Sequence, residues 1–145
     1  MHRGEYGIYG IVDQQLWRPQ GAGPDKGISV FSRVGMAPSD RSQIDLEVDG
    51  GIVFAGLVPQ RPDDSFGASV IYSRFSTAVR ANPMNEIVPG IPGPYPDYEI
   101  NLELVYSWQV VPGWVLQPDY QYIWHPSGQP GRDAQVVGFR TLIRY

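Results

Sequence analysis

From residue 5 onward, apolar and polar side chains alternate with a period of two, broken by clusters rich in glycine and proline. Period-two alternation is the signature of a strand with two unlike faces, and Gly/Pro clusters mark turns. The pattern predicts seven strands, over roughly 5–17, 27–36, 43–55, 65–77, 99–111, 114–124 and 134–145. The separators are RPQGAGPDK, APSDRS, GLVPQRPDD, the long VRANPMNEIVPGIPGPYPDY at 79–98, a two-residue PG at 112–113 and HPSGQPGRD. No stretch shows a 3.6-residue apolar period, so helix is expected to be minor.

Assigning faces separates the chemistry sharply. One face takes Ile8, Val12, Ile28, Val30, Val34, Leu46, Val48, Ile52 and Phe54, and later Val70, Tyr72, Leu102, Leu104, Trp108, Trp114, Tyr122 and Trp124. The other takes Asp13, Arg33, Asp45, Glu47, Asp49, Glu99, Glu103, Asp119, Arg140 and Arg144. Only Arg74 among the charged strand residues falls on the apolar face, near a strand end. Two architectures segregate charge in this way. A soluble β-sandwich, such as a carbohydrate-binding module, turns the apolar face inward against a second sheet. A membrane barrel turns it outward to lipid and lines a lumen with the charged face.

The rings favour the barrel. If the last strand runs toward the periplasm, Trp108, Trp114 and Tyr145 fall at the periplasmic level and Tyr72, Tyr122 and Trp124 at the opposite one. Aliphatic residues lie between, as expected of two aromatic girdles flanking a hydrocarbon belt. Most segments also reach the roughly 9–11 residues that a tilted spanning strand needs. The PG turn then lies on the periplasmic side and 79–98 becomes a long extracellular loop, although turns 18–26 and 56–64 are long for periplasmic ones.

Composition removes several other classes. The net charge of −4 and pI near 5.0 argue against a nucleic-acid partner, which needs a basic surface. Without cysteine there are no disulfides or thiolate metal sites. No apolar run approaches a spanning helix, and mean hydropathy is −0.25, which does not exclude spanning strands. The opening MHRGEYGIYG has no apolar core or small-residue cleavage site, so no signal peptide is expected within it.

Candidate chemistry lies on the charged face. If that face lines a lumen, a solute passing along it needs hydrogen-bonding contacts weak enough to release it. Asp45, Glu47 and Asp49 sit at i, i+2 and i+4 on one strand and are expected to form a ladder of acceptors about 7 Å apart. Arg33, Arg140 and Arg144 supply donor forks, and Asp13, Glu103 and Asp119 add further acceptors. Tyr9 and Phe31 share this face and could stack on a passing solute or simply pack against loops. The plainer reading of these charges is a solvated lattice of ion pairs that keeps a lumen wet. Asp40 and Asp63 are expected to cap turns through side-chain to backbone bonds. Alternate strand positions cannot wrap an ion as a loop does, so no metal or cofactor is expected. His2 lies at a terminus and His125 in a loop, neither in a triad-like arrangement, so the chain is not expected to be an enzyme.

The segments YGIVDQQLWR (9–18), KGISVFSRVGMAPSDRS (26–42), DGGIVFAGLVPQRPDDSFG (49–67), LQPDYQYIWHPSG (116–128) and the closing VVGFRTLIRY resemble the carbohydrate-selective outer-membrane porins of the OprB family. The resemblance spans nearly the whole chain and corresponds to the C-terminal part of that family. It implies an all-β fold: an antiparallel transmembrane β-barrel meander in which residues 1–145 supply about seven C-terminal strands of a barrel of about sixteen. It further implies passive diffusion of small sugars across the bacterial outer membrane, with the bilayer as surroundings. The terminal strand 136–145, with its aromatic end, would be read by the outer-membrane assembly machinery. A homo-oligomer is compatible with such a porin, and so is a partial form that makes no pore alone.

Overall fold

The computed structural model describes residues 6–80 and 96–145. Seven strands form one antiparallel sheet: β1 Ile8–Trp17, β2 Gly27–Met36, β3 Ile44–Ala55, β4 Ser65–Phe75, β5 Tyr98–Val111, β6 Trp114–Trp124 and β7 Asp133–Ile143. Their spatial order is their chain order, so every neighbour is the preceding or following strand. The connections alternate between two ends. Segments 18–26, 56–64 and 112–113 lie at one end, called the short-turn end for its two-residue hairpin turn, and 37–43, 125–132 and the described parts of the 22-residue connection 76–97 at the other, the long-loop end. The expected long loop at 79–98 lies mostly outside the described residues.

The register gives the two faces their continuity. On one face, Gly10, Val34, Val48, Tyr72, Ile100, Trp124 and Asp133 stand opposite one another in turn across the sheet. On the other, Asp13, Phe31, Gly51, Ser69, Glu103, Gln121 and Val136 form a parallel row. Because successive side chains point to opposite faces, a register that shifts only near strand ends, at Gln15/Trp17, Ile44/Leu46 and Gln109/Val111, keeps the apolar residues of the seven strands together.

The sheet is a single layer. Among the described residues no hydrophobic side chain is buried, and Val70, Trp108, Trp114 and Val137 are exposed. A sandwich would cover this face with a second sheet about 10 Å away, so the sandwich alternative is not the architecture found. Exposed apolar area on this scale calls for a partner solvent, and lipid supplies one. No helix among the described residues is long and apolar enough to cross a membrane.

Several element limits differ from those the alternation predicts. Tyr6 and Gly7 precede β1 rather than belonging to it. β4 stops at Phe75, because Thr77–Arg80 turns into a short helix, α1. There the Ser76 and Ala78 amides donate to the Gln43 and Ser39 carbonyls at 2.9 and 3.0 Å instead of extending a ladder. β7 ends at Ile143; the Arg144 amide still donates to the Gly113 carbonyl at 2.7 Å, but Tyr145 lies beyond the strand. Gly113 closes the β5–β6 hairpin at φ 85°, and a Cβ there would lie 2.6 Å from the Arg144 carbonyl oxygen. Only glycine accommodates both demands.

Candidate functional site

The polar face carries the candidate residues, and the strands distribute them unequally. The β2–β3 side is an ion-pair region. Arg33 and Asp49 face each other in the register, and Arg33 Nε donates to Asp49 Oδ2 at 2.7 Å. The Asp49 carboxylate is covered to 4% exposure, while Arg33 stays half-exposed. Glu47 stands between Gly35 and Ser73, and Asp13 opposite Phe31 at the edge of the sheet.

The expected ladder of Asp45, Glu47 and Asp49 does not form as a regular series. The register shifts between Ile44 and Leu46, which places Asp45 in a bulge. An extra residue re-aims its side chain and increases the local twist. Asp45 accepts from Arg74 Nε at 2.7 Å, and this pairing accounts for the one charge that alternation assigns to the apolar face. Asp45 and Arg74 thus neutralise each other near the long-loop end, away from the Arg33–Asp49 pair.

The β4–β6 side is lined mainly by neutral hydrogen-bonding groups, which a search for charge overlooks. Ser69, Glu103 and Gln121 are in register, as are Gln117 and Arg140. Asn101 Nδ2 donates to Gln121 Oε1, and Gln121 Nε2 to Asp119 Oδ2, both at 3.3 Å. Asp119 faces Gly138, and its carboxylate occupies the space a Cβ would need there. That glycine lets an acid lie flat against β7. Gln117 Nε2 donates to Ser107 Oγ at 3.3 Å. Arg144 follows β7 at the short-turn end, beside Gln109 and Gly113. Among the described residues there is no cluster of three or more potential metal ligands.

On the apolar face most aromatic residues lie toward the two ends of the strands, with Tyr120 and Phe139 between them. Tyr72 stacks on Tyr98 at 5.8 Å, and Tyr122 lies against Trp124 at 4.5 Å, at the long-loop end. The Tyr122 hydroxyl donates to Asp133 at 2.8 Å. Trp108 and Trp114 lie at the short-turn end, where the Trp114 indole N–H donates to Thr141 Oγ1 at 3.0 Å. Tyr145 is fully exposed beyond β7.

The long turn 56–64 has a structural role that its sequence does not announce. Asp64 is 2% exposed. Its carboxylate accepts from the Tyr106 hydroxyl at 2.6 Å, from the Gln109 amide at 2.8 Å and from Arg61 Nε. The Arg61 guanidinium lies over the Trp108 ring, 5.1 Å from its centroid, in a cation–π contact. Burial alone pushes the Asp64 carboxyl up, but the bonds from Tyr106, Gln109 and Arg61, with the Arg61 charge, outweigh it and hold it below the ordinary carboxylate value. Asp63, expected to cap this turn, instead accepts from Lys26 Nζ at 3.3 Å, and Lys26 also donates to the Pro62 carbonyl at 2.7 Å. Asp40 accepts two bonds from Arg41, at 3.0 and 2.9 Å.

Comparison with known proteins agrees with this arrangement. The family model for the carbohydrate-selective porins, OprB family, matches residues 1–145. Porin B of Pseudomonas aeruginosa is 24% identical over 143 residues, covering 93% of this chain and 32% of that protein. The high-pH structure of Pseudomonas putida OprB superposes with a TM-score of 0.85 at 24% identity, over 98% of this chain and 36% of that one. The chain therefore spans about a third of the length of the curated relative it matches. A single open sheet, apolar on one face and polar on the other, is what such a fraction of a barrel wall should be, and the chain belongs to the OprB family of carbohydrate-selective porins, β-barrels of the bacterial outer membrane.

Proposed function

We propose that a closed barrel containing these seven strands conducts small sugars passively, with the polar face lining the lumen and the short-turn end toward the periplasm. The observation that carries this reading is the register, which shifts only near strand ends and lays acceptors and donors in rows on one face while leaving the other apolar. The Arg33–Asp49 pair, Glu47, Glu103, Asp119 and Arg140 offer a sugar hydroxyl both kinds of partner along the wall, with Asp13 at the sheet edge. Pairing of Arg33 with Asp49 lowers the net field in the lumen, which suits a neutral solute over an ion. Weak and repeated contacts permit release, as conduction requires.

The apolar face carries the membrane contact. Tyr72, Tyr122 and Trp124 stand at one interface and Trp108, Trp114 and Tyr145 at the other, where amphipathic rings are stable. The segment 136–145 leaves the outer edge of β7 unpaired within this sheet, and that edge is what the assembly machinery would engage. Proteoliposomes bearing the complete barrel test the proposal by swelling in isosmotic sugar. Glucose entry well above that of protein-free vesicles is expected. Swelling no faster than the protein-free control rejects the channel.

A further inference from the structure

At the short-turn end of the polar face, Ser107 and Gln109 of β5, Gln117 of β6 and Arg144 line a cavity of about 250 Å³ together with the apolar Val115 and Leu142. It is small beside the roughly 300–1,000 Å³ of ordinary small-molecule sites, so its scale is that of one ring. We infer that this cavity is a single-pyranose subsite at the periplasmic mouth, a second station separate from the charged mid-lumen wall. The inference rests on the channel reading proposed above.

The chemistry of the lining selects this occupant. Gln117 Nε2 is committed to Ser107 Oγ, which leaves Gln117 Oε1 to accept and the Ser107 hydroxyl to donate. Gln109 Nε2 is held by the Val111 carbonyl at 2.8 Å, which fixes that amide and leaves its oxygen as an acceptor. Arg144 is anchored through its backbone amide to Gly113 and makes no ion pair among the described residues, so its guanidinium remains a donor. A pyranose presents the complement: a rim of hydroxyls that donate and accept, and an apolar C–H face to set against Val115 and Leu142. No carboxylate lines the cavity. Asp64, which accepts from the Gln109 backbone amide at 2.8 Å, is taken up by Tyr106 and Arg61. Asp119, two residues or about 7 Å from Gln117 along β6, accepts from Gln121 and lies against Gly138. Neither acid enters the lining, whose one charged side chain is Arg144.

The test uses the complete barrel in planar bilayers, with D-glucose as the probe and current interruptions as the readout. The double variant Ser107→Ala/Gln117→Ala is expected to raise the glucose dissociation rate about five- to tenfold, each lost hydrogen bond weakening binding several-fold. Gln109→Ala, on the neighbouring rung, gives a smaller rise in the same direction and serves if the double variant fails to assemble. Glucose interruptions in the wild type that persist unchanged in both variants overturn the subsite while leaving the channel intact. A wild-type barrel in which glucose produces no interruption and no flux overturns the channel reading itself. Inorganic phosphate displacing glucose at lower concentration than glucose acts would show an anion site built on Arg144, and would also overturn the inference.

Discussion

Asp64 shows how a single side chain can hold a turn that its own sequence leaves loose. Three donors from two separate segments converge on its carboxylate, and all are lost or weakened by Asp64→Asn. Leaving buried donors unsatisfied costs about 1–3 kcal/mol, so the variant barrel should lose its heat-resistant folded band at a lower temperature on gel electrophoresis. The pH dependence has a definite sign. The Asp64 carboxyl is more acidic in the fold than in the unfolded chain. Its stabilisation is therefore complete above about pH 4, the ordinary carboxylate value, and fades as the pH falls through the lower folded value. Urea unfolding in detergent at pH 7 and pH 3 should show a larger acid loss in the wild type than in Asp64→Asn. A second prediction concerns Arg33. Replacing it by leucine strips the counter-charge from a covered Asp49, so the lumen becomes more cation-selective. The reversal potential in a salt gradient should shift in that direction, and a shift toward anions would contradict the pairing.

The hairpins repeat one construction, and their differences lie in the connections. At the β5–β6 turn the glycine conformation and the nearness of Arg144 act together. Gly113→Ala should destabilise the folded barrel by at least about 1 kcal/mol, read as a lower urea midpoint with unchanged conductance in molecules that do fold. The strands themselves were legible, because the alternation of residues such as Ile100, Leu102 and Leu104 with Asn101 and Glu103 leaves no other periodicity. The bulges were not. The shift at Ile44/Leu46 depends on the partner strand, so neither the displacement of Asp45 nor its pairing with Arg74 could be read from spacing. Asp64 was invisible for a similar reason, since Tyr106 and Gln109 lie 42 and 45 residues away. Charge alone does not single out Ser107, Gln109 and Gln117, whose part in the proposed subsite depends on neutral hydrogen-bonding groups from two neighbouring strands.

Taken as one object, the seven-stranded sheet has two free edges, β1 and β7. Lipid cannot satisfy the unpaired N–H and C=O groups of an open edge, so a spanning sheet must close on itself or on further strands. The 145-residue polypeptide alone is therefore expected to give no steady unitary conductance after refolding into bilayers, whereas the complete barrel does. Stable, glucose-sensitive channels from this segment alone would show that it closes unaided. Asp64 also matters at this scale. A tight hairpin turn such as 112–113 dictates how its two strands align, and that control weakens as the connection lengthens. β4 and β5 are separated by 76–97, too long a connection to impose any alignment. A slip of one residue between them would turn every lipid-facing side chain of the later strands toward water. The bonds from Tyr106 and Gln109 to Asp64 form at the far end of that pair, and only in the native alignment. They act as a check on the pairing where the loop cannot provide one, so losing Asp64 should generate misaligned, protease-sensitive barrels as well as weaker ones.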